Sequence, residues 1–169
     1  MGLLRGDEAL RRNRVSIPFT TYFVTLCTRD RRLGLSTPVP ARAIQAELAS
    51  VEADGHGHIL GAVIMPDHVH VVFRLKETLT LGRWVARFKT RTRSALSLCE
   101  LSWQSNFYEH RLRPDEPLEP VLRYVFLNPY RGGLVRMDER WPWFWLGNEE
   151  KAWFVPTTDD GKPFPEWLR

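Results

Sequence analysis

His68 and His70, two histidines separated by one residue, form the sharpest chemical signal in the sequence. They begin an apolar, β-branched run, 68–75, that predicts a β-strand. Because side chains alternate across a strand, both imidazoles point to the same face. Two neighbouring imidazoles suit one divalent metal ion, and the same spacing also suits a hydrogen-bonded structural pair. The sequence alone leaves both interpretations open.

Tyr124 and Asn128 form a second candidate pair, four residues apart. The sequence predicts a helix from about Pro117 to Asn128, because Pro129 disfavours its continuation. The apolar residues of this helix recur at helical spacing and form one stripe: Leu118, Val121, Leu122, Val125 and Phe126. Tyr124 and Asn128 share a face that flanks this stripe. A tyrosine in such a position is often a packed aromatic, so the pair alone does not decide between chemistry and packing.

The elements that must position these residues follow the order β-α-β-β-α-β and then a helix. Strands are predicted near 22–28, 58–65, 68–75 and 107–112, and helices near 41–53, 81–98 and 117–128. This order is typical of the α+β, ferredoxin-like split βαβ fold, a four-stranded antiparallel sheet with helices on one face. The helix predicted near 117–128 is additional to this fold. We expect one domain over 1–145, irregular structure from about Trp141, and a C-terminal tail over 146–169. The five tryptophans from Trp141 onward are expected either to pack on the sheet or to stack on bases.

Basic residues are clustered, although the chain of 169 residues has only 24 Lys and Arg against 20 Asp and Glu. The segment 83–93 holds five bases and no acid, and a second block lies near the N-terminus. Such clustering favours a nucleic-acid partner over a merely solvated surface. Arg83, Arg87 and Arg91 share one helical stripe. We predict nucleic-acid contacts at these residues: Arg12, Arg14, Arg31, Arg32, Arg83, Arg87, Lys89, Arg91 and Arg93.

Composition disfavours several other classes of protein. No apolar run approaches the ~20 residues of a membrane helix. The first residues carry charge where a secretion signal would be apolar. Cys27 and Cys99 lack the spacing of a zinc site or a disulfide framework. We therefore expect a cytoplasmic protein that does not contact membranes.

Three separated motifs resemble those of a known family. They are Met65-Pro66-Asp67-His68-Val69-His70, then Trp103-Gln104 with Phe107-Tyr108-Glu109-His110, and then the stretch from Tyr124 to Val135 that contains Asn128-Pro129. Pro18, the stretch from Tyr22 to Thr25, and Arg31-Arg32 fit the same pattern. In this order the motifs resemble the single-tyrosine HUH transposases, most of all the REP-associated tyrosine transposases of bacteria. The resemblance spans residues 17–143.

The resemblance implies a metal-dependent endonuclease and transposase that acts on single-stranded DNA at hairpin-forming, REP-like repeats. By this likeness, His68 and His70 bind Mg²⁺ or Mn²⁺, and Asn128 is the third ligand. Tyr124 is then the nucleophile that forms a 5′-phosphotyrosine intermediate. His110 is either a partner of DNA or of a metal ligand, or an ordinary polar strand residue. We further expect a nucleoid-associated bacterial protein that is a monomer or a homodimer.

The sequence departs from the family pattern at two places. Leu127 stands where the family often has a first asparagine, and the segment from Trp141 to Leu146 replaces a Pro-x-Ser-Ser stretch. Two alternative functions stay open. One is a catalytically inactive protein that binds structured nucleic acid, and the other is a cupin-like, metal-dependent enzyme acting on small molecules.

Overall fold

A five-stranded antiparallel sheet forms the centre of the protein. The computed structural model describes residues 16–147, together with Thr158, Lys162 and Pro163. The strands are β1 (Thr21–Cys27), β2 (Gly57–Ile64), β3 (His68–Leu75), β4 (Tyr108–Arg111) and β5 (Phe144–Leu146). They lie in the order β4-β1-β3-β2-β5. The first four in this order form the ferredoxin-like pattern, so the predicted α+β, split βαβ fold is confirmed.

Two helices, α1 (Pro38–Ala53) and α2 (Leu81–Ser97), cover one face of this sheet. Their apolar side chains meet the strand residues that alternate toward this face, and together they form the main core. The Trp84 indole stacks on the Phe73 ring with 4.2 Å between the centroids. The Thr80 hydroxyl caps α2 by accepting a hydrogen bond from a backbone N–H of the first turn. These contacts fix α2 against the sheet.

The third helix, α3 (Leu118–Arg131), packs on the opposite face of the sheet. Its residues Leu122 and Val125 are buried with β-strand side chains that alternate toward this face, such as Val72. The helix approaches β2 closely at Gly61, where an added Cβ would lie 2.8 Å from a methyl group of Leu122. Since β3 presents Val72 to α3, it presents His68 and His70 to the same face.

Two helices are longer than the sequence predicts, and proline is the reason in both. α1 begins at Pro38 instead of residue 41, because the N–H groups of a first turn have no helical partner for proline to remove. α3 continues through Pro129 to Arg131, since a proline in the last turn removes only one helical hydrogen bond. No helix in the described part of the chain has the length and apolar character needed to cross a membrane.

The segment predicted to be irregular from Trp141 onward contains the edge strand β5, which pairs with β2. The Trp141 indole N–H donates a hydrogen bond to the Ile64 carbonyl at 3.1 Å. Trp143 and Trp145 are half-buried against the main core. These three tryptophans therefore pack on the sheet, which was one of the two expectations for them. The two remaining tail tryptophans, Trp153 and Trp167, lie outside the described residues.

Candidate functional site

The two imidazoles of β3 converge on the α3 face of the sheet. His70 lies opposite Thr25 of β1 and Val63 of β2, so the three side chains form one row across the strands. The Nε2 atoms of His68 and His70 are 3.1 Å apart. His70 is buried and the His68 side chain is nearly so. Both rings therefore direct one nitrogen to the same partly shielded point.

The other nitrogen of each imidazole has a partner that fixes the ring. The Nδ1–H of His68 donates to a carboxylate oxygen of Asp67 at 2.6 Å, because an ionised carboxylate can only accept. The Nδ1 of His70 lies 2.8 Å from the Thr25 hydroxyl, which can donate or accept. Asp67 also pairs with the Nε of Arg31 at 2.7 Å. Such partners orient histidines for metal binding, and here they leave the two Nε2 atoms facing each other.

Burial lowers the pKa of both imidazoles. It lowers the pKa of His70 to about 3, and the charge that His68 carries when protonated and the charge of Arg31 add to the effect. Burial also lowers the pKa of His68, although the hydrogen bond and charge of Asp67 oppose it. Both rings are therefore neutral at pH 7. A neutral imidazole carries the lone pair that binds a metal ion.

Tyr124 lies beside this histidine pair on α3. Its ring centroid is 5.7 Å from that of His70 and 6.1 Å from that of Phe23 on β1. The side chain is 44% exposed, so a substrate can reach it while one side contacts the sheet. The structure thus brings together the tyrosine and the histidines that the sequence singled out separately.

Asn128 follows Tyr124 by one helical turn and is half-buried. The contacts of Leu122 with β2 and of Phe126 with β5 show that α3 runs antiparallel to β3. One turn beyond Tyr124, the helix therefore advances toward the end of β3 that carries His68. This placement is consistent with Asn128 as a neighbour of the histidine pair.

The donor set of this site fits a divalent metal ion. Among the described residues, no three His, Cys, Asp or Glu side chains cluster in a way that could hold one. A metal ion bound by the histidine pair would need a ligand of another type, and the amide oxygen of Asn128 is a ligand of such a type. Two imidazoles with converging Nε2 atoms and an amide oxygen suit a first-row divalent ion such as Mn²⁺, and oxygen ligands also suit Mg²⁺. Metal binding by His68, His70 and Asn128 stays a prediction.

A family model described as "Transposase IS200 like" matches residues 18–124, which is more than half of the chain. The chain belongs to this transposase family. The match includes the histidine pair and ends at Tyr124, so it covers the two parts of the site that the fold brings together.

Relatives of this transposase agree with that assignment. The REP-associated tyrosine transposase of Escherichia coli (strain K12) is 28% identical over 124 residues, covering 72% of this chain and 73% of the relative. A Haemophilus influenzae protein with a provisional form of the same name is 30% identical over 156 residues, covering 84% and 88%. A solved REP-associated tyrosine transposase bound to a REP hairpin has a TM-score of 0.66 at 23% identity, covering 97% of this chain and 99% of the other. That structure supports the fold.

Two of the three arginines in the stripe predicted on α2, Arg87 and Arg91, pair with acidic side chains. The Nε of Arg87 donates to Glu47 of α1 at 3.1 Å, and the Nε of Arg91 pairs with the other oxygen of Glu47 at 2.7 Å. Glu47 is only 4% exposed, and Arg87 also pairs with Asp54. These two arginines therefore join α1 to α2. The pairings do not decide whether the stripe contacts DNA, since the Arg91 side chain is still 52% exposed.

Other predicted DNA contacts on α2 differ in their surroundings. The ammonium of Lys89 donates to the backbone carbonyls of three successive residues, 104–106, and so holds the segment before β4. Arg83 and Arg93 are exposed. The whole helix packs on the face of the sheet opposite the histidine pair. DNA binding by Arg83, Lys89 and Arg93 stays a prediction, and it would have to occur away from Tyr124.

Arg31, Arg32 and His110, three of the remaining predicted contacts, each lie near an acidic side chain of the protein. Arg31 is bound to Asp67 beside the histidines, and Arg32 is exposed, 3.9 Å from Glu100. The Nε2 of His110 lies 2.7 Å from a carboxylate oxygen of Glu116. None of these contacts decides whether the three residues bind DNA. Two further predicted contacts, Arg12 and Arg14, lie outside the described residues.

Four residues that shape the site are not among those predicted from the sequence. Asp67 and Thr25 hold the two imidazoles, and Phe23 and Tyr108 form an aromatic cluster next to them. The alternation of side chains in β1 does predict that Phe23 and Thr25 share one face of that strand. The pairing of Thr25 with His70, however, depends on strand register, which the sequence does not reveal.

Proposed function

We propose that this transposase cleaves and rejoins single-stranded DNA beside hairpin-forming repeats, with Tyr124 as the nucleophile. The observation that carries the proposal is the accessible Tyr124 ring, 5.7 Å from the ring of His70. A tyrosine hydroxyl is a weak nucleophile until a base or a metal ion activates it. In this proposal, His68, His70 and Asn128 hold Mg²⁺ or Mn²⁺.

The proposed chemistry is a transfer between two phosphate esters. The hydroxyl oxygen of Tyr124 attacks the phosphorus of a phosphodiester, and the bond from phosphorus to the 3′ oxygen breaks. The phenol loses its proton and the leaving 3′ oxygen gains one, which gives a 5′-phosphotyrosine link and a free 3′-hydroxyl. Because one ester replaces another, a different 3′-hydroxyl can reverse the step without ATP. A bound divalent ion supplies stabilisation of the negative charge that develops on the phosphate.

The proposed partner is DNA with a hairpin and an adjoining single strand. The solved relative described above is bound to a REP hairpin, and its fold extends over nearly all of this chain. The basic residues of this chain, 24 against 20 acids, favour a polyanion. An attacking tyrosine on the edge of a packed helix also requires a strand whose phosphate can approach it closely. Both a monomer and a homodimer are compatible with this proposal.

The two alternative functions differ in how the site supports them. A cupin-like enzyme would need a barrel of many strands, whereas this sheet is open and has helices on both faces. A catalytically inactive DNA-binding protein has the same fold and basic residues as an active one. The neutral imidazole pair beside an exposed tyrosine favours the active enzyme, because neither feature is required for DNA binding alone.

The decisive experiment is capture of a covalent adduct. Labelled DNA with a stem-loop and flanking single strands is incubated with the protein and Mn²⁺, and the products are separated in SDS. We expect a labelled band at the mass of protein plus DNA, and its complete absence for Tyr124→Phe. Binding of the same DNA should stay within about twofold, since only one hydroxyl is removed. Addition of EDTA should abolish the adduct.

Tyr130→Phe is the matched control, because it removes a phenol hydroxyl from the same helix. That hydroxyl donates a hydrogen bond to the Glu139 carbonyl at 3.1 Å and has no role in the proposed chemistry. The control should form the adduct normally. Hairpin binding without an adduct under any divalent metal would instead support the inactive DNA-binding protein. An adduct that persists in Tyr124→Phe would show that Tyr124 is not the nucleophile.

A further inference from the structure

Tyr108 is an exposed aromatic residue at the edge of the site. It begins β4, the edge strand of the sheet, and its side chain is 59% exposed. Among the described aromatic side chains, only those of Phe19, Tyr108 and Tyr124 are exposed. Burial of an aromatic ring would stabilise the fold by on the order of 25 cal/mol per Å² of apolar surface, and an exposed ring does not contribute this free energy. Packing against the described residues leaves more than half of Tyr108 exposed.

Strand register places Tyr108 on the face of the sheet that carries the histidine pair. Tyr108 lies opposite Thr25 of β1, and Thr25 lies opposite His70 of β3. Directly opposed residues of neighbouring strands point to the same face. Tyr108, Thr25 and His70 therefore form one row that leads from the open edge of the sheet to the histidine pair.

Phe23 connects the exposed tyrosine with the proposed nucleophile. Its ring contacts Tyr108 edge-to-face at 6.3 Å and Tyr124 edge-to-face at 6.1 Å. Phe23 also contacts the His70 ring at 5.1 Å. This packing supports the inner side of Tyr108 and leaves much of the ring open to solvent. A rigid aromatic ring is thereby presented next to the place where a DNA strand would meet Tyr124.

We propose that Tyr108 is a stacking platform for an unpaired nucleobase of the strand that Tyr124 cleaves. The inference rests on the proposed function and adds a specific DNA contact to it. Every nucleobase has a flat aromatic face, and stacking on tyrosine supports single strands with little dependence on sequence. A base held at Tyr108 fixes the strand at one point beside the site, which positions a neighbouring phosphate for attack.

DNA affinity in a Tyr124→Phe background tests this role without any cleavage. The probe is a DNA stem-loop with a short oligothymidine extension at its 5′ or its 3′ end, and binding is measured by fluorescence anisotropy. We expect Tyr108→Ala to weaken binding about 5- to 150-fold, the range of one stacked base. Tyr108→Trp should keep the affinity, because it keeps an aromatic face. Phe19→Ala removes a similarly exposed ring, 65% exposed and before the start of β1, and should change affinity by less than twofold.

Abasic substitution identifies the stacked base. An abasic nucleotide is moved along the extension, and each probe is measured with and without Tyr108→Ala. At one position, the abasic site and Tyr108→Ala should each weaken binding while the combination is no worse than either alone. Equal effects of Tyr108→Ala on every abasic probe would overturn the proposal. An adduct in Tyr124→Phe that disappears on adding Tyr108→Phe would make Tyr108 the nucleophile and would also overturn it.

These outcomes are separate from failure of the proposed function. The affinity measurements use a variant that lacks the proposed nucleophile, so stacking is detected even when the wild-type protein forms no adduct. Conversely, an adduct on Tyr124 together with unchanged affinity in Tyr108→Ala would leave the function intact and remove only the platform.

Discussion

Replacement of Asp67 by Asn tests whether the carboxylate beside His68 prepares the site for a metal ion. One Asp67 oxygen accepts from His68 Nδ1–H at 2.6 Å, and the other accepts from Arg31 Nε–H at 2.7 Å. Asparagine has one accepting oxygen and one NH₂ group, so it can satisfy only one of these two donors. The imidazole of His68 is then free to turn or to change tautomer, and its Nε2 is no longer directed at that of His70.

The expected magnitude follows from the burial of this contact. The side chains of Asp67 and His68 are only 16% and 12% exposed, so water does not replace the lost hydrogen bond readily. When a metal-binding histidine loses its hydrogen-bond partner, metal affinity typically falls by about 10- to 100-fold. At 25 °C this corresponds to about 1.4–2.7 kcal/mol of metal-binding free energy for Asp67→Asn.

Calorimetric titration of Mn²⁺ into the DNA-free protein measures this effect without depending on cleavage. Asp138→Asn is the matched control, because it also removes a carboxylate that pairs with an arginine, Arg136, but at an exposed position. The control should bind Mn²⁺ as the wild type does, and thermal unfolding should confirm that both variants are folded. An Asp67→Asn affinity within twofold of the wild type would refute the role assigned to the carboxylate.

Two further predictions concern the basic residues of α2. Glu47→Gln should reduce the free energy of unfolding by about 1–3 kcal/mol in a urea titration, because it weakens two charge-assisted bonds to a buried carboxylate. The exposed Glu77→Gln should change it by less than about 0.5 kcal/mol, and equal effects would mean that the Glu47 bonds contribute nothing. In salt titrations of hairpin binding, Arg83→Ala should lower the log–log slope by about 0.9, whereas Arg87→Ala should leave it unchanged. Identical slopes for the wild type and Arg83→Ala would remove Arg83 from the DNA contacts.

The sequence by itself determined which residues share a face within each element. Alternation in β3 puts His68 and His70 side by side, and the turn of α3 puts Tyr124 and Asn128 on neighbouring positions of one side. These relations follow from backbone geometry over a few residues, so they hold whatever the rest of the chain does. The order of strands and helices also predicted the ferredoxin-like sheet, since that order restricts the ways in which the strands can pair.

Only the tertiary structure decided which of these faces meet. Packing of α3 on the histidine face of β3 brings the Tyr124 ring to the His70 ring, and strand register brings Thr25 to His70. The same applies to the basic stripe, because its spacing is identical whether it meets DNA or the buried Glu47 of a neighbouring helix. These contacts join residues far apart in the chain, where spacing carries no information. Their partners are fixed by burial of the two faces of the sheet, a property of the whole fold and not of any single segment.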